Sequence, residues 1–149
     1  MLDAQLVDAV PYEASDLYDD VVEGLRLVRE SGYRIGLAGN QPTRTEAFLQ
    51  DCGLEADFIA ASETWGVHKP AAEFFARVVE ECGCPAEQIA YVGDRIDNDV
   101  VPAADAGMTA VFLRRGPWGW LQWEWPEADR ARVRIDSLLE LPQALASIS

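Results

Sequence analysis

The segment IAYVGDRIDND, Ile89 to Asp99, restricts the fold of this chain more than any other stretch. A short apolar run, Ile89-Ala90-Tyr91-Val92, is closed by Gly93, and Asp94, Asp97 and Asp99 follow at once. Such a run reads as a buried strand, and carboxylates delivered at its C-terminal end belong to the binding edge of an open α/β sheet, where ligands collect. Clustered carboxylates repel one another, so they persist when a hard cation such as Mg2+ or a basic side chain neutralises them. A plainer reading stands beside this one: Asp is a good N-cap, and the turn then only starts the following helix.

Around that segment helical and strand patterns alternate. Leu17, Val21, Leu25 and Val28 recur at helical spacing, and Ser31-Gly32 ends that helix. Tyr33 to Ala38 is a short buried-strand pattern running into Gly39-Asn40-Gln41-Pro42. A helix follows over Thr43 to Cys52, with Gly53 where a left-handed C-cap belongs. Asp57 to Ala61 is the next strand. Pro70 sits where a first helical residue is expected, and Phe74, Val78 and Cys82 mark the buried stripe of that helix. Asp99 to Ala106 reads as a short helix ended by Gly107, and Thr109 to Leu113 as the last clear core strand. Val133 to Ile135 is a candidate edge strand. Ser137 starts a terminal helix with Leu138, Leu139 and Leu145 turned inward. This alternation predicts an α/β fold with parallel strands, helices on both faces and right-handed crossovers. A length of 149 residues predicts one domain, 1–149.

Composition narrows the partners. Twelve Lys and Arg against 26 Asp and Glu give a formal charge of −14, which argues against nucleic acid and anionic membrane. It does not argue against a small phosphate ester held by one metal and one lysine. The apolar stretches are too short to span a bilayer and MLDAQLVDAV lacks a basic region, so the chain reads as cytoplasmic. Cys52, Cys82 and Cys84 form no zinc-like pair of pairs and read as free thiols. His68 is the only histidine and reads as a loop residue. Trp118, Trp120, Trp123 and Trp125 crowd a stretch, residues 116–129, that reads as a loop. Its tryptophans would form a substrate lid, a protein interface, or a flap with each indole packed on the body. Arg114-Arg115 would hold a substrate anion or be paired on the surface.

Two motifs, HKP with Lys69 before a helix and GDRIDND continuing into VVPAADAGM, carry a family resemblance. From about Leu17 to the C-terminus the chain resembles the C-terminal core of a haloacid dehalogenase-like hydrolase, a superfamily dominated by Mg2+-dependent phosphatases. The resemblance implies a Rossmann-like three-layer αβα core with a mostly parallel sheet. It also implies phosphomonoester hydrolysis of a small phosphorylated metabolite: an aspartate attacks phosphorus to form an aspartyl-phosphate, and a second aspartate two residues later protonates the leaving group and activates water. By matching positions, Asp94 is the expected Mg2+ ligand and Asp99 its outer-shell partner, with Asn98 helping to orient them. Lys69 is the expected cation on the nucleophile and the phosphoryl oxygen. Phosphoryl transfer is catalysed mainly by positioning and charge neutralisation, which a metal and a lysine at strand ends suit. The plainer role for Lys69 is a salt bridge to Asp94 or Asp99 that only neutralises the cluster.

The chain departs from the family pattern twice. Where the family closes its second strand with Ser or Thr followed by Asn, Gly39 and Asn40 stand here. The missing hydroxyl is worth on the order of 1–3 kcal/mol unless the Gly39 and Asn40 backbone N–H groups, or the Asn40 amide, replace it in binding substrate. The GNQP turn also reads as simple punctuation. The second departure is the nucleophile, expected as Asp-x-Asp at the end of an apolar strand upstream. The one Asp-x-Asp is Asp97-Asn98-Asp99, inside the acidic turn, while Asp16, Asp19 and Asp20 read as charges favoured at a helix start. The chain therefore reads as lacking the usual first, nucleophile strand. That strand is central in the family, between those ending near Ala38 and Gly93, so something must fill its place: the Leu6–Val10 segment, closure of the two sheet halves, or another chain or copy. Residues 1–16 read as a leader or the remnant of a cap linker. Two functions follow: the back portion of a phosphatase, inactive alone, or a non-catalytic binding protein on the same scaffold.

Overall fold

The structure is a computed structural model that describes residues 17–148. Five strands, Gly36–Gly39 (β1), Phe58–Ala61 (β2), Ala90–Gly93 (β3), Thr109–Leu113 (β4) and Val133–Ile135 (β5), are separated by helices. The helices are Val21–Glu30 (α1), Arg44–Asp51 (α2), Ala72–Cys82 (α3), Val101–Asp105 (α4), Gly116–Gln122 (α5) and Leu141–Ile148 (α6). A single helical turn, Ser62–Trp65, follows β2, and a π-helical turn, Ile96–Val100, leads into α4. All pairings are parallel: β1 with β2, and β3 with β4 with β5. The predicted alternation is what the chain adopts, and α2 closes as expected on Gly53 at φ +74°.

The two-residue period of β4 sorts the layers. Ala110 and Phe112 enter a cluster with Phe74, Phe75 and Val78 of α3 and with Val100 and Ala103. Val111 and Leu113 point the other way, into a cluster with Leu25 and Val28 of α1 and Leu141 and Leu145 of α6. Helices thus cover both faces of a parallel sheet, a Rossmann-like αβα sandwich. β1 and β3 obey the same sorting: Ala38 and Tyr91 pack into the first cluster, Leu37 and Val92 into the second. Among the described residues no hydrogen-bonded pairing joins the two strands. Four of the five β4 residues are buried, but Tyr91 is the only buried residue of β3 and β1 has none. The described strands therefore form two halves, β1 with β2 and β3 with β4 and β5. Leu6–Val10 and the expected leader 1–16 lie outside the described residues.

Some local expectations are corrected. Pro70 is not the first residue of α3: the Lys69–Pro70 peptide is cis and the helix begins at Ala72. Phe75 joins Phe74 as fully buried, so the inward stripe of α3 is wider than its i, i+4 spacing suggested. Leu139 faces solvent and Leu141 takes the inward position, because Ser137 caps a 3-10 turn, Leu138–Glu140, before α6 begins. The stretch 116–129 is not a loop: it holds α5 and a 3-10 turn, Pro126–Arg130. Its polarity is inverted, with Gln122 and Gly119 turned in and Trp118 and Trp120 out, at 45% and 63% exposure. Trp123 packs on Phe112 with ring centroids 5.1 Å apart. Arg114 and Arg115 are both paired, with Asp136 and Asp20.

Candidate active site

The loops after β1, β2 and β3 leave the same edge of the sheet, the C-terminal one, where parallel α/β sheets collect ligands. After β3, Gly93 hands over to Asp94, and the π-helical turn carries Asp97 and Asp99. After β2, the helical turn ends at Gly66 and the chain reaches Lys69. The Lys69 ammonium meets Asp99 Oδ1 at 2.5 Å, and the pair is nearly removed from water, with side chains 14% and 4% exposed. The other Asp99 oxygen, Oδ2, accepts from the Arg95 backbone N–H at 3.1 Å. Both carboxylate oxygens are therefore satisfied, as burial of a charge requires. The Lys69 ammonium also lies 5.9 Å from the Tyr91 ring centroid.

Asn40 acts on Lys69 from the end of β1. Its amide nitrogen donates to the Lys69 carbonyl at 3.0 Å, and its amide oxygen accepts from the Lys69 N–H at 2.7 Å. This two-way clamp fixes the lysine backbone, so the Asn40 amide is committed to Lys69 rather than standing in for the family's hydroxyl. At Gly39 an added Cβ would meet nothing nearer than Gln41 Cγ at 3.8 Å. The strand end is therefore open there.

The three aspartates of the acidic turn differ in state. Asp97 turns outward, held by Arg95 through Nε at 3.0 Å and Nη2 at 2.6 Å, and Arg95 keeps its carboxyl below the ordinary value. Asp99 is engaged as described. Asp94 is half-buried and hydrogen-bonded by no side chain among the described residues; burial first, and the Asp99 charge second, push its carboxyl above the ordinary value. Among the described residues no three His, Cys, Asp or Glu side chains converge. The edge thus brings Lys69, Asp99, Asp94, Asn40 and Gly39 to the ends of neighbouring strands and turns Asp97 away. Among the described residues, Asn98 makes no hydrogen bond to Asp94 or Asp99.

Two features of this edge had no sequence signal. Gln122, 1% exposed, accepts from the Ile96 N–H at 2.7 Å and approaches Asp97 Oδ1 at 3.4 Å. Asp20, expected as a helix-start charge, instead accepts from Ser137 Oγ at 2.7 Å and Leu138 N at 2.9 Å and pairs with Arg115. Burial raises the Asp20 carboxyl, but those hydrogen bonds outweigh it and hold it below the ordinary value. Arg115 stacks on Tyr18 at 4.2 Å, which ties the start of the described chain to this side of the molecule.

Comparison with known proteins gives a consistent picture. A model of the haloacid dehalogenase-like hydrolase family matches residues 2–107. Glyceraldehyde 3-phosphate phosphatase of Methanopyrus kandleri is 33% identical over 137 residues, covering 83% of this chain and 57% of that protein. Its counterpart in Methanocaldococcus jannaschii is 40% identical over 85 residues, 57% of this chain and 36% of that protein. The crystal structure of a phosphatase of the same superfamily from Thermococcus onnurineus superposes with a TM-score of 0.74 at 26% identity, covering 95% of this chain and 63% of that one. The chain spans about half the length of the curated relatives it matches. Among the described residues, no helix is long and apolar enough to cross a membrane.

Proposed function

We propose, from the premise that this chain belongs to the haloacid dehalogenase-like hydrolases, that it is the cation-bearing side of a Mg2+-dependent phosphomonoester phosphatase. In this reading the nucleophilic aspartate arrives on a strand seated between β1 and β3. The observation that carries it is the buried Lys69–Asp99 pair beside Asp94, which no described side chain hydrogen-bonds, near the ends of two strands that are not paired with each other among the described residues. The substrate class is a small phosphorylated metabolite, as the names of the archaeal relatives suggest.

Each residue has a distinct task. Lys69 presents its ammonium to a phosphoryl oxygen and to the attacking carboxylate, which offsets charge where it develops. Asp99 and the Asn40 clamp hold that ammonium and its backbone in place before substrate arrives. Asp94 suits a hard cation, because a carboxylate raised by burial and by a neighbouring charge is relieved by Mg2+. Asp94 and Asp99 alone are too few oxygens to close a coordination shell, so part of the shell comes from the nucleophile strand. Mg2+, when bound there, supplies positive charge against the phosphoryl oxygens. Gly39 and Asn40 leave their backbone N–H groups as the donors at the end of β1. Without the nucleophile strand the chain is inactive, since the covalent step has no attacking group.

A second reading, a non-catalytic binding protein on this scaffold, is favoured by one observation. The chain's Asp-x-Asp, Asp97-Asn98-Asp99, has its first aspartate turned out onto Arg95 and its second locked to Lys69. One experiment separates the two. Mg2+-dependent hydrolysis of 4-nitrophenyl phosphate is measured for the 149-residue chain and for the same chain extended N-terminally by an apolar strand ending in Asp-x-Asp. Turnover in the extended chain alone, lost on Lys69→Met, is the expected result. Silence in both chains favours the binding protein. Turnover by the unextended chain that ignores Lys69→Met overturns the proposal.

A further inference from the structure

The acidic turn starts without a cap of its own. Arg95, the residue before Ile96–Val100, spends its side chain on the Asp97 carboxylate and caps none of the turn's first N–H groups. The Ile96 N–H is nonetheless satisfied, by the Gln122 amide oxygen from a helix 26 residues away. A glutamine with 1% exposure on a seven-residue helix otherwise dressed in tryptophan has little reason to be buried unless its amide has work to do. The same amide faces Asp97, which holds the Arg95 guanidinium, and Arg95 lies over the Trp118 ring at 4.6 Å. The Arg95 backbone N–H in turn donates to Asp99. Residues 95, 96 and 97 are thus each met by a side chain of α5, and the first of them also by Asp99.

We infer that Gln122 is a positioning residue for the acidic turn: by capping Ile96 and bracing Asp97 it sets the Arg95 N–H that orients Asp99, and through Asp99 the Lys69 ammonium. The assignment rests on the reading of Lys69 and Asp99 as the cation side of a phosphoryl-transfer site. It also gives α5 a role beyond covering the sheet end, since its inward face belongs to the site while its tryptophans face out.

Amide hydrogen exchange on the 149-residue chain tests it without requiring turnover, so its failure is separable from failure of the phosphatase reading. Gln122→Met keeps the length and shape of the side chain but removes both hydrogen bonds, and Gln122→Glu keeps an acceptor for Ile96. In Gln122→Met, exchange at both Ile96 and Arg95 should rise about tenfold or more relative to Val111–Leu113 of β4. Gln122→Glu should retain protection at Ile96. A rise at Ile96 with Arg95 unchanged would make the contact purely local and overturn the inference. An equal rise in β4, reporting only global destabilisation, would overturn it as well, as would no change at either amide.

Discussion

Replacing Lys69 with methionine is expected to destabilise the fold by about 3–5 kcal/mol, the usual result of stranding one partner of a buried ion pair. Asp99 would keep the Arg95 N–H but lose its counter-charge in a place where its side chain is 4% exposed. Urea unfolding of the two proteins measures the difference directly, and Asp99→Asn added to Lys69→Met should return part of it, because the stranded charge is then gone. The neighbouring aspartate should behave in the opposite sense. Asp94 has its carboxyl pushed up by burial and by Asp99, so its ionised form weakens the fold. Stability then improves as pH falls through that raised value, and Asp94→Asn should unfold at an equal or higher urea concentration at neutral pH in the absence of Mg2+. Two aspartates five residues apart would thus respond with opposite signs.

The second large effect is expected at Gly93. An added Cβ there would lie 2.3 Å from both Cβ and Cγ of Asp99 and 2.6 Å from its Oδ2. Asp99 cannot swing aside, since its oxygens are fixed on Lys69 and the Arg95 N–H. Gly93→Ala must therefore push the π-helical turn off the end of β3 and break the ion pair with it. Overpacking of a rigid site costs about 1–3 kcal/mol, and the broken pair adds to that. Gly39→Ala is the matched control at the end of β1, where the nearest atom to the new Cβ is 3.8 Å away. That variant should lie within about 1 kcal/mol of wild type. Equilibrium unfolding of both variants checks the contrast; equal effects at the two glycines would contradict the described packing.

The sequence was most legible where one physical rule acts alone. Thr109–Leu113 is a strand with the bounds its apolar run marked, and Val133–Ile135 lies at the sheet edge as read. Gly93 closes β3 where the apolar run ended, and Lys69 meets Asp99 in the ion pair that the plainer reading of Lys69 expected. Among the described residues β1 and β3 are not paired with each other. What could not be read is what depends on side chains from distant elements. Nothing in Asn40 reveals a clamp on a backbone 29 residues away, and nothing in Gln122 reveals a cap on Ile96. The helix at Gly116–Gln122 was hidden because it carries its polar group inward and its tryptophans outward, which reverses the pattern that marks a surface helix. Pro70 misled because a proline before a helix is as compatible with a turn ahead of it as with its first residue.

The proposed function requires a place for a further strand between β1 and β3, and hydrogen exchange along the strands tests this most directly. If the two strands frame a place for a strand they do not themselves fill, the amides of β1 and β3 that point away from β2 and β4 should exchange about a hundredfold faster than those of Val111 to Leu113. In the chain extended by an apolar strand ending in Asp-x-Asp, the same amides should become protected. Protection already equal to that of β4 in the unextended 149-residue chain would contradict the account, because the edges would then be paired without the nucleophile strand.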